Sequence, residues 1–134
     1  MLRDMIISSA RSYLGTPFQH QGRTRYGLDC VGLLIRVAHD LKLSTFDVSH
    51  YGRVPSGRMM QRVLGDVCDP VALNELQSGD IIHMAFDTQP QHLAIITPYG
   101  MVHADNQRGV IEHRIDDKWF NRVRGCYAFP GVDA

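Results

Sequence analysis

"LQSGDIIHMAF", residues 76–86, is the point at which the chain changes period. Before it, apolar residues recur at helical spacing. From it onward they come in short runs, 80–86, 92–97, 101–105, 109–115 and 125–129, punctuated by Pro90, Pro98-Tyr99-Gly100 and Gly109, and these runs read as strands. Helices first and strands after predict an α+β fold in which N-terminal helices pack against a C-terminal antiparallel sheet of about five strands.

Upstream, Leu2, Met5, Ile6, Ser9, Ala10, Tyr13 and Leu14 predict a first amphipathic helix over 2–14, stopped at Gly15 and Thr16-Pro17. Residues 16–27 are polar and without period, as a loop should be. A second helix runs from about 30 to 41. There Val31, Leu34, Ile35, Ala38 and Leu41 form one apolar face and Leu33 and Val37 a second, the pattern of a central, buried helix. A short third helix follows over 57–66, after a loop holding Pro55 and Gly57. With 134 residues and no repeat, low-complexity tract or linker, the chain reads as one domain, 1–134, able to bury about two thirds of its unfolded surface.

Fourteen basic and 14 acidic residues cancel, and no run of like charge appears, so neither a nucleic-acid groove nor a polybasic membrane patch is indicated. The first fifteen residues carry Asp4 and Arg11 through their apolar pattern and hold no signal-like segment; synthesis in the cytoplasm without membrane insertion is the expectation. Cys30, Cys68 and Cys126 are odd in number and far apart, which argues against a disulfide framework or a zinc knuckle and for at least one free thiol.

Cys30 stands at the start of the central helix. Unpaired N–H groups and the positive end of the helix dipole stabilise a thiolate there, and the same N–H groups could receive the oxyanion of a tetrahedral intermediate. Asp29, the expected N-cap, has the opposite electrostatic effect on the thiol beside it. Free cysteines usually just pack, so a catalytic reading needs a histidine to take the proton. Of seven histidines, His20 precedes the cysteine in the loop, His39 lies about 13 Å along the helix axis and cannot reach, and His50 sits in a loop. His83, His92, His103 and His113 fall in strands, where a single histidine is commonly a packing residue.

His92 and His103 form the better pair, on a predicted hairpin where one could fix the tautomer of the other. Three registers are open. A turn at Thr97-Pro98 sets the two directly opposite, about 5 Å apart, and one at Pro98-Tyr99 sets His103 across from Ala94 and diagonal to His92, about 8 Å away. A turn at Tyr99-Gly100 separates them by roughly 13 Å along the strand.

Taken in order, "GLDCVGLL", "LQSGDII" and "HLAIITPYGMVHA" resemble the NlpC-like family of papain-fold cysteine peptidases that cut bacterial cell-wall peptides. The family shows an Asp-Cys-small-Gly motif, a Pro/Ser-Gly-Asp strand motif, and a histidine strand followed by a second histidine. The resemblance spans about Tyr13 to Ala128. It implies Cys30 as nucleophile, His92 as base and His103 as the residue orienting it, on a circularly rearranged papain-like fold and without a cofactor. The implied substrate is the peptidoglycan stem peptide, cut between D-glutamate and the diamino acid through an acyl-enzyme. The short build looks most like phage-tail or prophage members, which implies phage tail proteins as partners and a virion or tail particle acting on the cell wall.

Two positions depart from the pattern. Phe18 stands where the family has a tyrosine lining the oxyanion and substrate environment next to Asp29, and Val31 stands where serine is common. Tyr26 and Tyr13 are candidates to replace the missing hydroxyl. Three rival readings compete: acyl transfer or amide hydrolysis on a lipid or modified protein, with Met59, Met60, Met84 and Met101 lining an apolar channel; a non-catalytic wall-peptide or tail-binding module; and, least favoured, a zinc site from Cys30, His92 and His103, since structural zinc normally takes four ligands.

Overall fold

The computed structural model describes residues 2–48, 51, 57–86 and 92–132, without the side chains of 57–59. His50, Pro55, Pro90 and the side chain of Met59, all used above, lie outside the described residues. Helix α1 (Leu2–Arg11) turns Ile6, Ile7 and Ala10 inward. It ends about a turn earlier than the apolar spacing predicts, and Tyr13, just past its end, reaches the second helix. There its buried hydroxyl donates to Asp40 and accepts from Arg36 Nε at 3.2 Å.

The second helix, α2 (Cys30–Asp40), is the centre of the molecule, with Val31, Leu33, Leu34, Ile35, Val37 and Ala38 all buried. It packs on α1 and on the sheet. Helix α3 (Gly57–Val67) adds Met60 and Leu64 to the same core. Just before α2, the two-residue strands β1 (Arg23–Thr24) and β2 (Gly27–Leu28) close a small hairpin against the first turn of the helix. A Cβ on Gly32 would lie 2.1 Å from the carbonyl oxygen of Gly22. Only glycine lets the loop backbone approach α2 that closely, which gives the glycine two residues after Cys30 its physical reason.

The sheet contains β3 (Asp69–Val71), β4 (Ile81–Met84), β5 (His92–Ile96), β6 (Met101–Asp105), β7 (Gly109–His113) and β8 (Val123–Ala128), in the spatial order β3-β8-β4-β5-β6-β7. Every neighbouring pair is antiparallel. The sixth strand, β3, escapes the sequence pattern because Pro70 argues against a strand; it is tolerated because β3 is an edge. A short helix, α4 (Asp117–Phe120), is capped by Asp116, which accepts from Trp119 N at 3.1 Å.

Alternation along the strands makes two apolar layers. Ile81, Leu93, Ile95, Val102, Ala104 and Val110 face the helices, whereas Ile82, Met84, Ala94, Ile96, Met101 and Cys126 form a second cluster under Phe86, Ile115 and Trp119. Met60 belongs to the first layer and Met84 and Met101 to the second, so these methionines fill two cores and do not line one channel.

Asp80, from the Ser-Gly-Asp motif, is fully buried. It accepts from Arg3 Nη1 at 2.6 Å and from Gln77 N at 2.8 Å, tying α1 to the entry of β4. Removing the arginine leaves a buried carboxylate without its counter-charge, so Arg3→Ala should cost about 3 kcal/mol of stability in urea unfolding. A loss below about 0.5 kcal/mol, the usual worth of an exposed pair, would contradict this reading.

Candidate active site

Asp29 caps α2, as its position predicts, and does more. Its carboxylate accepts from Gly32 N at 2.7 Å, Gln21 N at 2.8 Å, Tyr51 Oη at 2.5 Å and Arg23 Nη1 at 3.4 Å. The helix start is thereby fastened to the preceding loop and to residue 51. Cys30 follows directly, and the backbone N–H groups of Leu93, Val31 and Cys30 all act on its sulfur. Those of Cys30 and Val31 belong to the open first turn of α2 and are the donors an oxyanion would meet.

The thiol is not depressed as its helix position alone suggests. Burial, and after it the charge of Asp29, push the Cys30 thiol up to about 12, and the three N–H groups only partly oppose them. At neutral pH the sulfur is a thiol.

The pairs Ile95–Val102 and Ile96–Met101, with Thr97 N donating to Gly100 O at 2.9 Å, place the hairpin turn at Pro98-Tyr99. Extended by one residue, this register sets His103 across from Ala94 and diagonal to His92. The imidazoles bridge the diagonal: His92 Nε2 and His103 Nδ1 are 2.6 Å apart, with the rings edge to face and centroids 4.7 Å apart. Both lie on the sheet face away from α2, beneath Phe86 and Trp119. Cys30 and His92 therefore approach β5 from opposite faces and meet it at its first residues, where the Leu93 N–H that acts on the sulfur directly follows His92.

A third imidazole extends this row. His103 pairs with Ile111 across β6 and β7, and His113 lies two residues beyond on the same face. His103 Nε2 and His113 Nε2 are 2.8 Å apart, and His113 Nδ1 is 2.8 Å from the carbonyl oxygen of Arg114. Trp119 packs on both rings, 5.6 Å from His103 and 4.7 Å from His113 between centroids. Neither the His113 contact nor the Trp119 cover was anticipated; a known register for the β6–β7 turn would have revealed the first.

Burial pulls His92 down to about 4 and, with its two histidine neighbours, His103 down to about 3. The buried dyad is neutral at pH 7.

The remaining candidates are placed elsewhere. His39 Nε2 meets the carbonyl of Phe46 at 2.7 Å, His20 Nε2 that of Tyr51 at 3.1 Å, and His83 is buried within β4. Phe18 is half-buried, and its backbone bridges to Leu28, alongside the chain that enters α2. Neither proposed tyrosine replaces its missing hydroxyl: Tyr13 is buried against Asp40, and Tyr26 is 90% exposed. Tyr51, the tyrosine the sequence reading overlooked, spends its hydroxyl on Asp29. Among the described residues, no group of three or more His, Cys, Asp or Glu is placed to hold a metal ion, and no helix is long and apolar enough to cross a membrane.

Two outcomes follow from these protonation states. Alkylation of Cys30 by iodoacetamide should be slow at pH 6 and still accelerate above pH 8, whereas a plateau already reached at pH 6 would indicate a preformed thiolate–imidazolium pair. Because both imidazoles have folded pKa values below the ordinary 6.5, the unfolded chain takes up protons first. Stability is therefore complete above about pH 6.5 and falls as pH drops toward about 4. A melting temperature that stays flat from pH 7 to 4.5 would contradict this.

Residues 15–126 match the model of the NlpC/P60 family. The probable endopeptidase NlpC of Escherichia coli (strain K12) is 26% identical over 115 residues, 84% of this chain and 68% of that protein. The NlpC/p60 domain of the peptidoglycan hydrolase SagA superposes with a TM-score of 0.67 at 21% identity, over 95% of this chain and 98% of that one. An NlpC/P60 family protein from Bacillus cereus ATCC 10987 gives a TM-score of 0.70 at 21% identity, over 95% of this chain and 40% of its own. RipD from Mycobacterium tuberculosis, described as a non-catalytic NlpC/p60 domain protein adapted to peptidoglycan binding, gives 0.63 at 18% identity, over 96% of each chain. With the cysteine at the head of the central helix, the histidine pair across the β5–β6 hairpin, and a family match over most of its length, the chain belongs to the NlpC/P60 family.

Proposed function

We propose that the chain is a cysteine peptidase acting on peptidoglycan stem peptides, with Cys30 as nucleophile, His92 as general base and His103 as the residue orienting it. One observation carries the reading: the thiol at the head of α2 is met by the backbone N–H of Leu93, the residue directly after His92, and Nε2 of His92 is held at 2.6 Å by a second histidine. That is the nucleophile–base–orienter logic of acyl transfer. The base is engaged through Nε2, which leaves Nδ1 for the thiol.

As the sulfur attacks the scissile carbonyl carbon, its proton passes to His92 Nδ1, and the carbonyl oxygen gains negative charge opposite the N–H groups of Cys30 and Val31. Collapse breaks the C–N bond, and His92 returns the proton to the leaving amine. Water then attacks the thioester with His92 again as base, and the acid product and the free thiol are released. The D-glutamyl to diamino acid bond is the scissile bond in this proposal, and action on the wall from a virion or tail particle belongs to the same reading, supported by the sequence resemblance.

The lipid rival calls for one channel lined by several methionines. The apolar cavity between α2 and α3, lined by Val31, Leu93, Met60 and Cys68 among others, holds only Met60 of those described, because Met84 and Met101 lie in the other apolar layer.

Purified peptidoglycan incubated with the protein should release fragments that mass spectrometry identifies as cut after D-glutamate. Cys30→Ala should abolish release. His92→Ala should lower turnover by about 10² to 10⁴-fold, and His103→Ala by less, because the base itself remains. Wall binding without release by the wild-type chain would instead favour a binding module of the RipD kind. Phe18→Tyr should raise kcat with little change in KM, by up to the roughly 10²-fold that a missing oxyanion donor costs; a stably folded mutant with no gain would remove position 18 from the oxyanion site.

A further inference from the structure

We propose that His113 is a positioning residue: acting through His103, it selects the tautomer of His92 that keeps Nδ1 unprotonated and able to accept the thiol proton. The inference builds on the catalytic reading above, but its geometry is independent of substrate. Three imidazoles form one row across β5, β6 and β7, and the row ends on a group with a single possible role. The carbonyl oxygen of Arg114, 2.8 Å from His113 Nδ1, can only accept, so Nδ1 of His113 carries a proton.

When all three rings are uncharged, the remaining positions follow one from another. His113 Nε2 then holds a lone pair, so the 2.8 Å contact is a donation from His103 Nε2–H. His103 Nδ1 is in turn the acceptor, and the 2.6 Å contact is a donation from His92 Nε2–H. His92 Nδ1 is left with its lone pair. Two buried rings that could each adopt either tautomer are thus set by one main-chain carbonyl just past the end of β7, relayed by His113. The same row serves the transition state. When His92 takes the Cys30 proton, the lone pair of His103 Nδ1 faces the new imidazolium, and His103 keeps that lone pair only while its own proton stays on the nitrogen facing His113. Trp119 packs on His103 and His113 and shields the contact between them.

The residue-specific alternative is that His113 merely fills space beside Trp119. His113→Gln and His113→Leu separate the two, since glutamine offers His103 an acceptor oxygen and leucine none. In the wild-type chain, long-range nitrogen–proton NMR correlation should find the proton on Nε2 of His92 and His103 and on Nδ1 of His113. In His113→Leu, His103 loses its acceptor, and His92 should appear as a tautomer mixture. Chloroacetamide should then alkylate Cys30 about ten-fold more slowly, a smaller loss than the 10²-fold or more expected on removing the base itself. His113→Gln should restore both the Nε2–H tautomer and the wild-type rate.

A wild-type His92 protonated on Nδ1 overturns the proposal before any mutant is made. So does a folded His113→Leu with unchanged tautomers and alkylation rate, or a folded His113→Gln as impaired as the leucine variant. Spectra and alkylation need no wall peptide, so an absence of hydrolysis would count against the proposed function and leave the relay standing, and an undisturbed relay mutant would do the reverse.

Discussion

Everything at the site hangs on one buried carboxylate. Asp29 is 4% exposed, and a carboxylate taken out of water must find donors for its oxygens or fold at a heavy cost. The donors come from separate parts of the chain: the Gln21 N–H, the Arg23 guanidinium, the Gly32 N–H and the Tyr51 hydroxyl. Arg23 is itself held by Asp47 at 2.9 Å and by the Val48 carbonyl at 2.6 Å, so the anchor extends into the segment after α2. Satisfying one side chain thus collects the loop in front of the cysteine, the first turn of α2 and residues 47, 48 and 51 into one frame around Cys30.

That frame has a chemical consequence of the opposite sign. The charge that organises the helix start also disfavours a thiolate next to it, and burial disfavours it more. His92 is likewise disfavoured as a cation. A neutral thiol and a neutral imidazole avoid the desolvation cost of a buried ion pair in the resting protein. In the proposed mechanism charge develops only during attack, when the oxyanion meets the N–H groups of α2 and the imidazolium meets the lone pair of His103. The two halves ride on different rigid elements, a helix terminus and the end of a strand, so their spacing is set by how α2 packs on β5.

Much of this was legible in the residues. The change of period at 76–86 separates helices from sheet, and the double apolar face of residues 31–41 identifies the buried helix. What stayed hidden depends on long-range pairing. Thr97-Pro98-Tyr99-Gly100 is compatible with three turns, and only the sheet selects one. The link between Arg3 and Asp80 joins residues 77 apart in sequence, and no local pattern announces it. Pro70 disguised an edge strand. The thiol's protonation followed the same rule: helix dipole and neighbouring aspartate can be read from position, whereas burial, the larger effect, is a property of the fold. His113 lay in a correctly read strand, but its contact with His103 requires the register of the β6–β7 turn.

The two departures from the family pattern are of different kinds, and packing separates them. Val31 is buried and lines the apolar cavity beneath α3 together with Leu93. A serine hydroxyl directed into that cavity would meet no polar partner among its lining side chains other than Ser44, so valine there suits the local environment and leaves the backbone N–H untouched. Phe18 removes a side-chain donor from a half-buried position, and neither Tyr13 nor Tyr26 fills in for it. The donors that remain are main-chain N–H groups at the head of α2, fixed by the helix and by its Asp29 cap. A site whose oxyanion donors are backbone can lose a side-chain hydroxyl and keep its geometry, which leaves the architecture of the helix start to Asp29.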